Sequence, residues 1–296
     1  VYGCYDDGER FAFFAKAVVE AMDRIDFRPD VLHCHDWQTA LAPLFYHKFY
    51  EDRFPGMKTM LTIHNLEYQG WAHADFLEDV MGLDDDCWEL VSCDGAVNFL
   101  KTGIAVSDAV TTVSKTYAEE ITTPWFGRNL CGLLQRERGK LSGIVNGLNQ
   151  KRFDPQTDPE IPVRFGPADY AEKKPLARDA LQAELGLDRD SGAPVLAMVS
   201  RLVSHKGIDL LTYIGETLMR DRNVQLVVCG SGERRFEQAL DDLCRRYPGR
   251  CAAYIGFQPS LADRIYAGCD LYLMPSASEP CGLSQLIAMR YGAVPV

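Results

Sequence analysis

The stretch Glu279-Pro280-Cys281-Gly282-Leu283-Ser284-Gln285 puts a carboxylate, a glycine and a run of backbone amides into seven residues. An apolar run at 271–274 precedes it and reads as a strand; the apolar segment 286–291 follows and reads as a helix. Such a strand-to-helix turn lies on the edge where an open parallel sheet binds its ligands, and the unsatisfied N–H groups of a helix N-terminus favour anions such as phosphate. The chemistry implied is the docking of a phosphorylated sugar, its charge on the amides and its hydroxyls on Glu279.

A second loop, Ser200-Arg201-Leu202-Val203-Ser204-His205-Lys206-Gly207, follows the apolar run 195–199. Arg201 and Lys206 are five apart, so both side chains can converge above the sheet edge. A guanidinium offers a planar fork to phosphate oxygens and an ammonium a compact charge. Gly230-Ser231-Gly232-Glu233 follows the run 224–229, where glycines let a ligand approach the backbone. The pattern G-x-G-x-x-G is not completed, because position 235 is Arg, and a tight strand-helix turn accounts for these glycines equally well. Phe257 ends the next apolar segment, placed either to stack on a purine or to pack in the core.

Earlier in the chain, His33-Cys34-His35-Asp36-Trp37 ends one apolar run and Thr62-Ile63-His64-Asn65 another. If the strand runs on through Cys34, His33 and His35 share a face and with Asp36 suggest a metal site; if it breaks there, the imidazoles need not converge. No further ligand cluster completes a metal centre, so none is expected. Asp36 is read as a partner for hydroxyls, His64 as a donor to a sugar or carbonyl oxygen, and His33 as a satisfied core histidine.

The elements that must position these residues alternate. Strands are expected at 195–199, 224–229, 252–255 and 271–274, with helices at 208–219, 234–244 and 261–267 between them. Near-continuous apolar strands separated by helices imply a parallel sheet covered on both faces, with every strand's carboxyl end on one edge. The first part repeats the pattern more loosely: strands at 30–33, 59–63, 109–113 and 141–145, a helix over 37–50, and an irregular acidic insertion over 68–99. Breakers between Asn146 and Pro167 (Gly147, Pro155, Pro159, Pro162, Gly166) mark a linker, with a helix at 175–185 after it. The predicted organisation is an α/β chain of two doubly wound domains, 1–150 and 191–296, with a linker and entry helix over 151–190 and a hinge expected at 146–167.

At 296 residues, with 47% hydrophobic and 25% charged residues, the chain has the make-up of a soluble globular protein and the length for about two domains. A formal net charge of −11 excludes nucleic acid and anionic membrane as main partners, since both require a basic footprint. No apolar run approaches a membrane span and no signal peptide is visible. The ten cysteines form no C-x-x-C pair and read as mainly buried, reduced thiols. Because the chain opens on Val1 and stops at Ala293-Val294-Pro295-Val296, where a strand is beginning, an internal fragment is expected.

Together, H-C-H-D-W-Q (33–38), T-I-H-N-L-E-Y-Q-G (62–70), D-A-V-T-T-V-S-K-T-Y-A-E-E-I (108–121), I-V-N-G-L-N (144–149), S-R-L-V-S-H-K-G-I-D-L (200–210) and S-E-P-C-G-L-S-Q-L (278–286) resemble the glycogen and starch synthases. The motifs run in the family's order over essentially the whole chain. The resemblance implies the GT-B architecture, two Rossmann-like domains facing across a cleft, both truncated here. It implies retaining transfer of glucose from ADP-glucose or UDP-glucose to the non-reducing end of an α-1,4-glucan, without metal or other cofactor, in a bacterial cytoplasm or a plastid. By the family's motifs, Arg201 and Lys206 bind the donor diphosphate and Glu279 contacts the glucose. Amides around Cys281, Gly282 and Leu283 hold donor sugar and phosphate. His64 lies beside the anomeric centre, Asp36 and Asn146 near the sugars, Gly230, Ser231 and Gly232 at the donor, and Phe257 against the base. Two departures stand out: the N-terminal Lys-x-Gly-Gly-Leu loop is absent, and the second Glu of many GT-B enzymes is Ile287. As a fragment the piece is expected to be inactive alone. The alternatives are a sucrose or trehalose-phosphate synthase, a metal-dependent hydrolase built on His33, His35 and Asp36, and a non-catalytic glucan-binding relative.

Overall fold

A computed structural model describes residues 3–189 and 192–296. The chain forms two compact units, one running to Asn146 and the other from Gly147 to Val296.

In the first unit, strands β1 (Val31–His35), β2 (Lys58–Ile63), β3 (Ala109–Thr112) and β4 (Leu141–Gly143) lie side by side in chain order, all parallel. Burial alternates along β1, so Leu32 and Cys34 enter the core while Val31, His33 and His35 face outward. The strand therefore continues through Cys34 to His35, two residues beyond the run read from the sequence. Helix α1 (Asp7–Arg24) buries Ala12, Ala15, Val19 and Met22, a stripe at helical spacing over a stretch where the sequence reading assigned nothing. The single helix expected over 37–50 is three short pieces, Asp36–Thr39, Ala42–Phe45 and a π-turn at Tyr46–Tyr50. Pro43 lies in the first turn of the middle piece, where its missing N–H does no harm, but there it cannot extend the helix before it. The acidic insertion contains a small antiparallel sheet with Ala96–Asn98 between Trp71–Ala72 and Ser92–Cys93. Helix α2 (Phe99–Val106) is capped by Asn98 and α3 (Lys115–Glu120) by Ser114, each side chain accepting from the amide three residues on.

In the second unit, α4 (Tyr170–Leu185) precedes β5 (Val195–Val199), α5 (Ile208–Asp221), β6 (Gln225–Gly230), α6 (Arg234–Arg246), β7 (Cys251–Ile255), α7 (Pro259–Gly268), β8 (Leu271–Tyr272), α8 (Leu283–Arg290) and β9 (Val294–Pro295). The strands are parallel in the order β7-β6-β5-β8-β9. Successive residues of β5 and β6 enter opposite cores: Val195, Ala197, Val227 and Cys229 one, Leu196, Met198, Leu226 and Val228 the other. That is the two-faced burial that continuous apolar strands require. The segment read as a linker packs into this unit, with Ile161 and Phe165 in the core beside α4 and α7. Cys34, Cys87, Cys229, Cys251 and Cys269 are buried, and all ten cysteines are free. Among the described residues no helix is long and apolar enough to cross a membrane.

Candidate active site

Strand order in the second unit reverses between β5 and β8. After β5 the chain steps outward through β6 to β7, then returns to the other side of β5 as β8. The loops leaving β5 and β8 at their carboxyl ends therefore diverge from neighbouring strands, which opens a crevice at the switch point. These are the loops that carry Arg201 and Lys206, and Glu279.

The two loops are fastened together. Gly207 has φ +76°, and a Cβ there would stand 2.2 Å from the Pro275 carbonyl oxygen, so only glycine fits. The Ala277 amide donates to the His205 carbonyl at 2.9 Å. Lys206 Nζ then donates to Glu279 Oε2 at 2.6 Å, with the side chains 18% and 27% exposed, and Ser276 Oγ donates to the same oxygen at 3.3 Å. The ammonium and carboxylate predicted from separate motifs are thus one ion pair. Gly282 caps α8 with φ +78°, and the helix has no side-chain cap. Cys281 is half-buried beside it and Leu283 is exposed.

A cavity of about 360 Å³ opens at the same sheet edge, lined by Val199, Ser200 and Arg201 at the end of β5, Cys229 to Ser231 at the end of β6, and Gly256 to Pro259 between β7 and the start of α7. Arg201 lines this cavity, whereas Lys206 and Glu279 are not among its lining residues. Phe257 is 88% exposed at the rim. The core-packing alternative for Phe257 is therefore excluded. Gly230 and Gly232 have a structural duty: a Cβ would stand 1.8 Å from the Ser200 oxygen and 2.3 Å from the Leu202 oxygen respectively. The loops after β5 and β6 lie directly on each other, Leu202 N donating to Ser231 O at 2.9 Å and Glu233 N to Leu202 O at 2.8 Å. Of the three, Gly230 and Ser231 line the cavity.

The sequence reading missed the rest of the lining. Arg152 and Phe153, from the expected linker, join Asp263 and Tyr266 of α7 and Ser284 and Ile287 of α8. Arg152 is bonded to the buried Asp263 at 2.5 Å, and Tyr291 donates to the equally buried Asp158. Burial raises the Asp263 carboxyl, opposed by the Arg152 guanidinium, and raises the Tyr291 phenol, to which Asp158 adds. No local pattern announces these residues: Arg152 stands beside Lys151 in a breaker-rich stretch that also holds Arg164, and nothing along the chain singles it out. Ile287, where many GT-B enzymes have a second Glu, faces the cavity as an apolar side chain.

In the first unit, His33 and His35 do share a face, their ring centroids 4.2 Å apart. His33 Nε2 lies 2.7 Å from Thr62 Oγ1, and His35 Nδ1 lies 3.0 Å from His64 Nε2. His33 is thus hydrogen-bonded but exposed, not the buried core histidine expected. Asp36, at φ +56°, turns its carboxylate back to accept from the His64 amide at 2.7 Å and the Asn65 amide at 3.4 Å. Asn146 is half-buried in the irregular stretch after β4. Among the described residues, the set of metal-ligand type whose ligand atoms all lie within 4.8 Å is Cys4, Asp6 and Asp7. His33, His35 and Asp36 are not such a set; Thr62 meets His33, and the Asp36 carboxylate turns to the His64 and Asn65 amides.

Comparison with known proteins agrees with this fold. Residues 1–136 match the family model "Starch synthase catalytic domain" and residues 184–296 the model "Glycosyl transferases group 1". The chain is 44% identical over 300 residues to a glycogen synthase of Geobacillus thermodenitrificans, covering 100% of this chain and 61% of that protein. It is 45% identical to that of Desulforamulus reducens and 44% identical to that of Bacillus subtilis, with 100% of this chain and 62% of each relative covered. The chain thus spans about three fifths of the length of the curated relatives it matches. Among solved structures, the catalytic domain of starch synthase IV from Arabidopsis thaliana, bound to ADP and acarbose, superposes with a TM-score of 0.89 at 34% identity over 99% of this chain and 61% of that one. The N-terminal domain of Candida albicans trehalose-6-phosphate phosphatase shares the fold alone, with a TM-score of 0.59 at 13% identity over 95% of this chain and 58% of that one.

Proposed function

We propose, from a chain that belongs to the glycogen and starch synthase family of GT-B glycosyltransferases, that it binds ADP-glucose and takes part in retaining glucosyl transfer to the non-reducing end of an α-1,4-glucan. The observation that carries the reading is the Lys206–Glu279 pair at the switch point, its lysine on the same loop as Arg201, which lines a cavity with Phe257. ADP is favoured over UDP because the similar starch synthase was solved with ADP bound. The similarity to bacterial glycogen synthases supports a bacterial cytoplasm, with a plastid as the alternative.

Each group has a proposed task. The base stacks on exposed Phe257, and the diphosphate meets Arg201, Lys206 and the N-terminal amides of α8 around Cys281, Gly282 and Leu283. The loop Gly230-Ser231-Gly232 brings backbone close to the nucleotide. Glu279 holds the glucose near its reacting carbon. Within the first unit, His64, Asp36 and Asn146 are the groups proposed to offer hydrogen bonds to a sugar. In the transfer, the bond from the anomeric carbon to the phosphate oxygen breaks and the electron pair leaves with the diphosphate. The acceptor hydroxyl attacks from the same face, and its proton passes to the departing phosphate. Negative charge grows on that phosphate, so fixed cations and helix amides lower the barrier without any reorganisation. No cofactor is called for by this scheme.

Calorimetric titration of ADP into the chain tests the binding half of the proposal; saturable binding that Arg201→Ala weakens at least tenfold is expected. Transfer of labelled glucose to glycogen, by a synthase of the relatives' length carrying this chain, tests the other half. ADP binding unaffected by Arg201→Ala would move the donor elsewhere. Labelling of a small acceptor in place of glucan would favour a sucrose or trehalose-phosphate synthase.

A further inference from the structure

Three imidazoles stand in a row at the carboxyl edge of the first unit's sheet. At one end Thr111 Oγ1 and Thr62 Oγ1 are 2.6 Å apart, and Thr62 Oγ1 is 2.7 Å from His33 Nε2. His33 and His35 stack at 4.2 Å with their planes 36° apart, and His35 Nδ1 closes the row on His64 Nε2 at 3.0 Å. His35 is also tethered through its backbone: its amide donates to Thr39 Oγ1 at 2.6 Å, and the Thr39 hydroxyl donates back to its carbonyl at 2.8 Å. The His64 amide is held by Asp36. The His64 backbone and ring therefore have separate anchors, and the ring's anchor is another histidine.

We infer that His35 is the positioning residue of His64: one proton shared between His35 Nδ1 and His64 Nε2 locks both rings, leaving His64 Nδ1 as the nitrogen that meets a sugar. The role in transfer rests on the function proposed above, but the coupling of the rings does not. Two nitrogens 3.0 Å apart hold one proton between them. With two, a pair of N–H groups would collide; with none, two lone pairs would face each other. Only like tautomers satisfy the contact, both rings protonated on Nδ1 or both on Nε2. A free neutral histidine exchanges between tautomers independently of its surroundings, whereas here a change at one ring must be matched at the other. The groups facing His35 are His33 on one side, His64 on the other and the Asp36 carboxylate. Burial first, then His33 and His64, hold its imidazole below the usual range, opposed by Asp36.

Long-range proton–nitrogen correlation spectra of the labelled chain test the coupling directly. The expected result is matched tautomers: the same form at His35 and His64, or the same proportion of the two forms at both. His35→Ala should change the tautomer balance of His64, which then no longer has a ring to match. His35→Asn, whose amide can donate or accept at the Nδ1 position, should return the His64 ring to its wild-type orientation. Unlike tautomers in the wild type, or a His64 spectrum unchanged in His35→Ala, overturns the coupling. In a synthase of the relatives' length carrying the chain, His35→Ala should lower kcat roughly tenfold to a hundredfold while donor KM stays within about twofold, as for a misplaced reacting contact. An unchanged kcat overturns the positioning role even where the spectra change. A wild-type enzyme that transfers no glucose would instead sink the functional reading and leave the ring coupling standing.

Discussion

Replacing Lys206 by Met removes one charge from the switch point and keeps the side chain's length. At 2.6 Å and an effective dielectric of about 20, the attraction to Glu279 is about 6 kcal/mol before desolvation and side-chain entropy offset it. A charge-assisted hydrogen bond of this kind nets about 1.5–3 kcal/mol, and partial exposure of both groups argues for the lower end. Lys206→Met is therefore expected to lower stability by about 1–2 kcal/mol, since Glu279 keeps only the Ser276 hydroxyl. The effect on transfer should be larger. If the ammonium also meets the departing diphosphate, its loss removes about 2.7–4 kcal/mol of transition-state stabilisation, a fall of roughly 10²–10³ in kcat at saturating ADP-glucose. Urea denaturation and labelled transfer to glycogen, run on Lys206→Met, Glu279→Gln and the double variant, separate the two contributions. The double variant should lose less than the sum of the singles, because each single leaves a charge without its partner. A Lys206→Met enzyme turning over within about threefold of wild type, with the stability loss intact, would reduce the pair to a structural clip and refute the role in transfer.

Phe257→Ala should leave urea stability within about 0.5 kcal/mol of wild type, because the ring is 88% exposed, yet weaken ADP binding about tenfold by titration calorimetry. Gly230→Ala should cost about 2–3 kcal/mol of stability and with it ADP binding, since a Cβ placed 1.8 Å from the Ser200 oxygen forces the two loops apart. Lys174, which donates to the carbonyls of Tyr266 and Tyr291 at 3.1 and 2.9 Å, is pulled by burial from 10.5 down to about 8. Between those values the unfolded chain binds more protons than the folded one, so this lysine's contribution to stability rises as pH climbs from about 8 to 10.5. Denaturation of wild type and Lys174→Met at about pH 7 and about pH 9.5 should show the wild type gaining about 1–2 kcal/mol on the variant across that range.

Much of this protein is legible in local pattern. The runs at Val195–Val199 and Gln225–Gly230 are almost continuously apolar, as burial on both faces requires, and the apolar pattern placed them to within a residue. Loops that follow such strands are short, so Arg201, Lys206, Gly230 and Glu279 could be assigned to one sheet edge without coordinates. Helix α1 went unread although its stripe of Ala12, Ala15, Val19 and Met22 was present, because exposed Phe13 and Phe14 blur the amphipathic contrast. The break at Pro43 was equally visible and was overridden by the apolar run around it.

What the amino-acid order determined by itself was therefore which residues stand at the carboxyl ends of strands, since that depends only on neighbours along the chain. Which of those residues touch was decided by tertiary structure. Lys206 meets Glu279, 73 positions away, because β8 returns to the open side of β5; a strand added beyond β7 would have left the same motifs apart. The Arg152–Asp263 bond and the His33–His35–His64 row have the same origin. Hydrogen bonds between buried or stacked polar groups carry no periodicity, so they exist only once packing has brought distant segments within about 3 Å of each other.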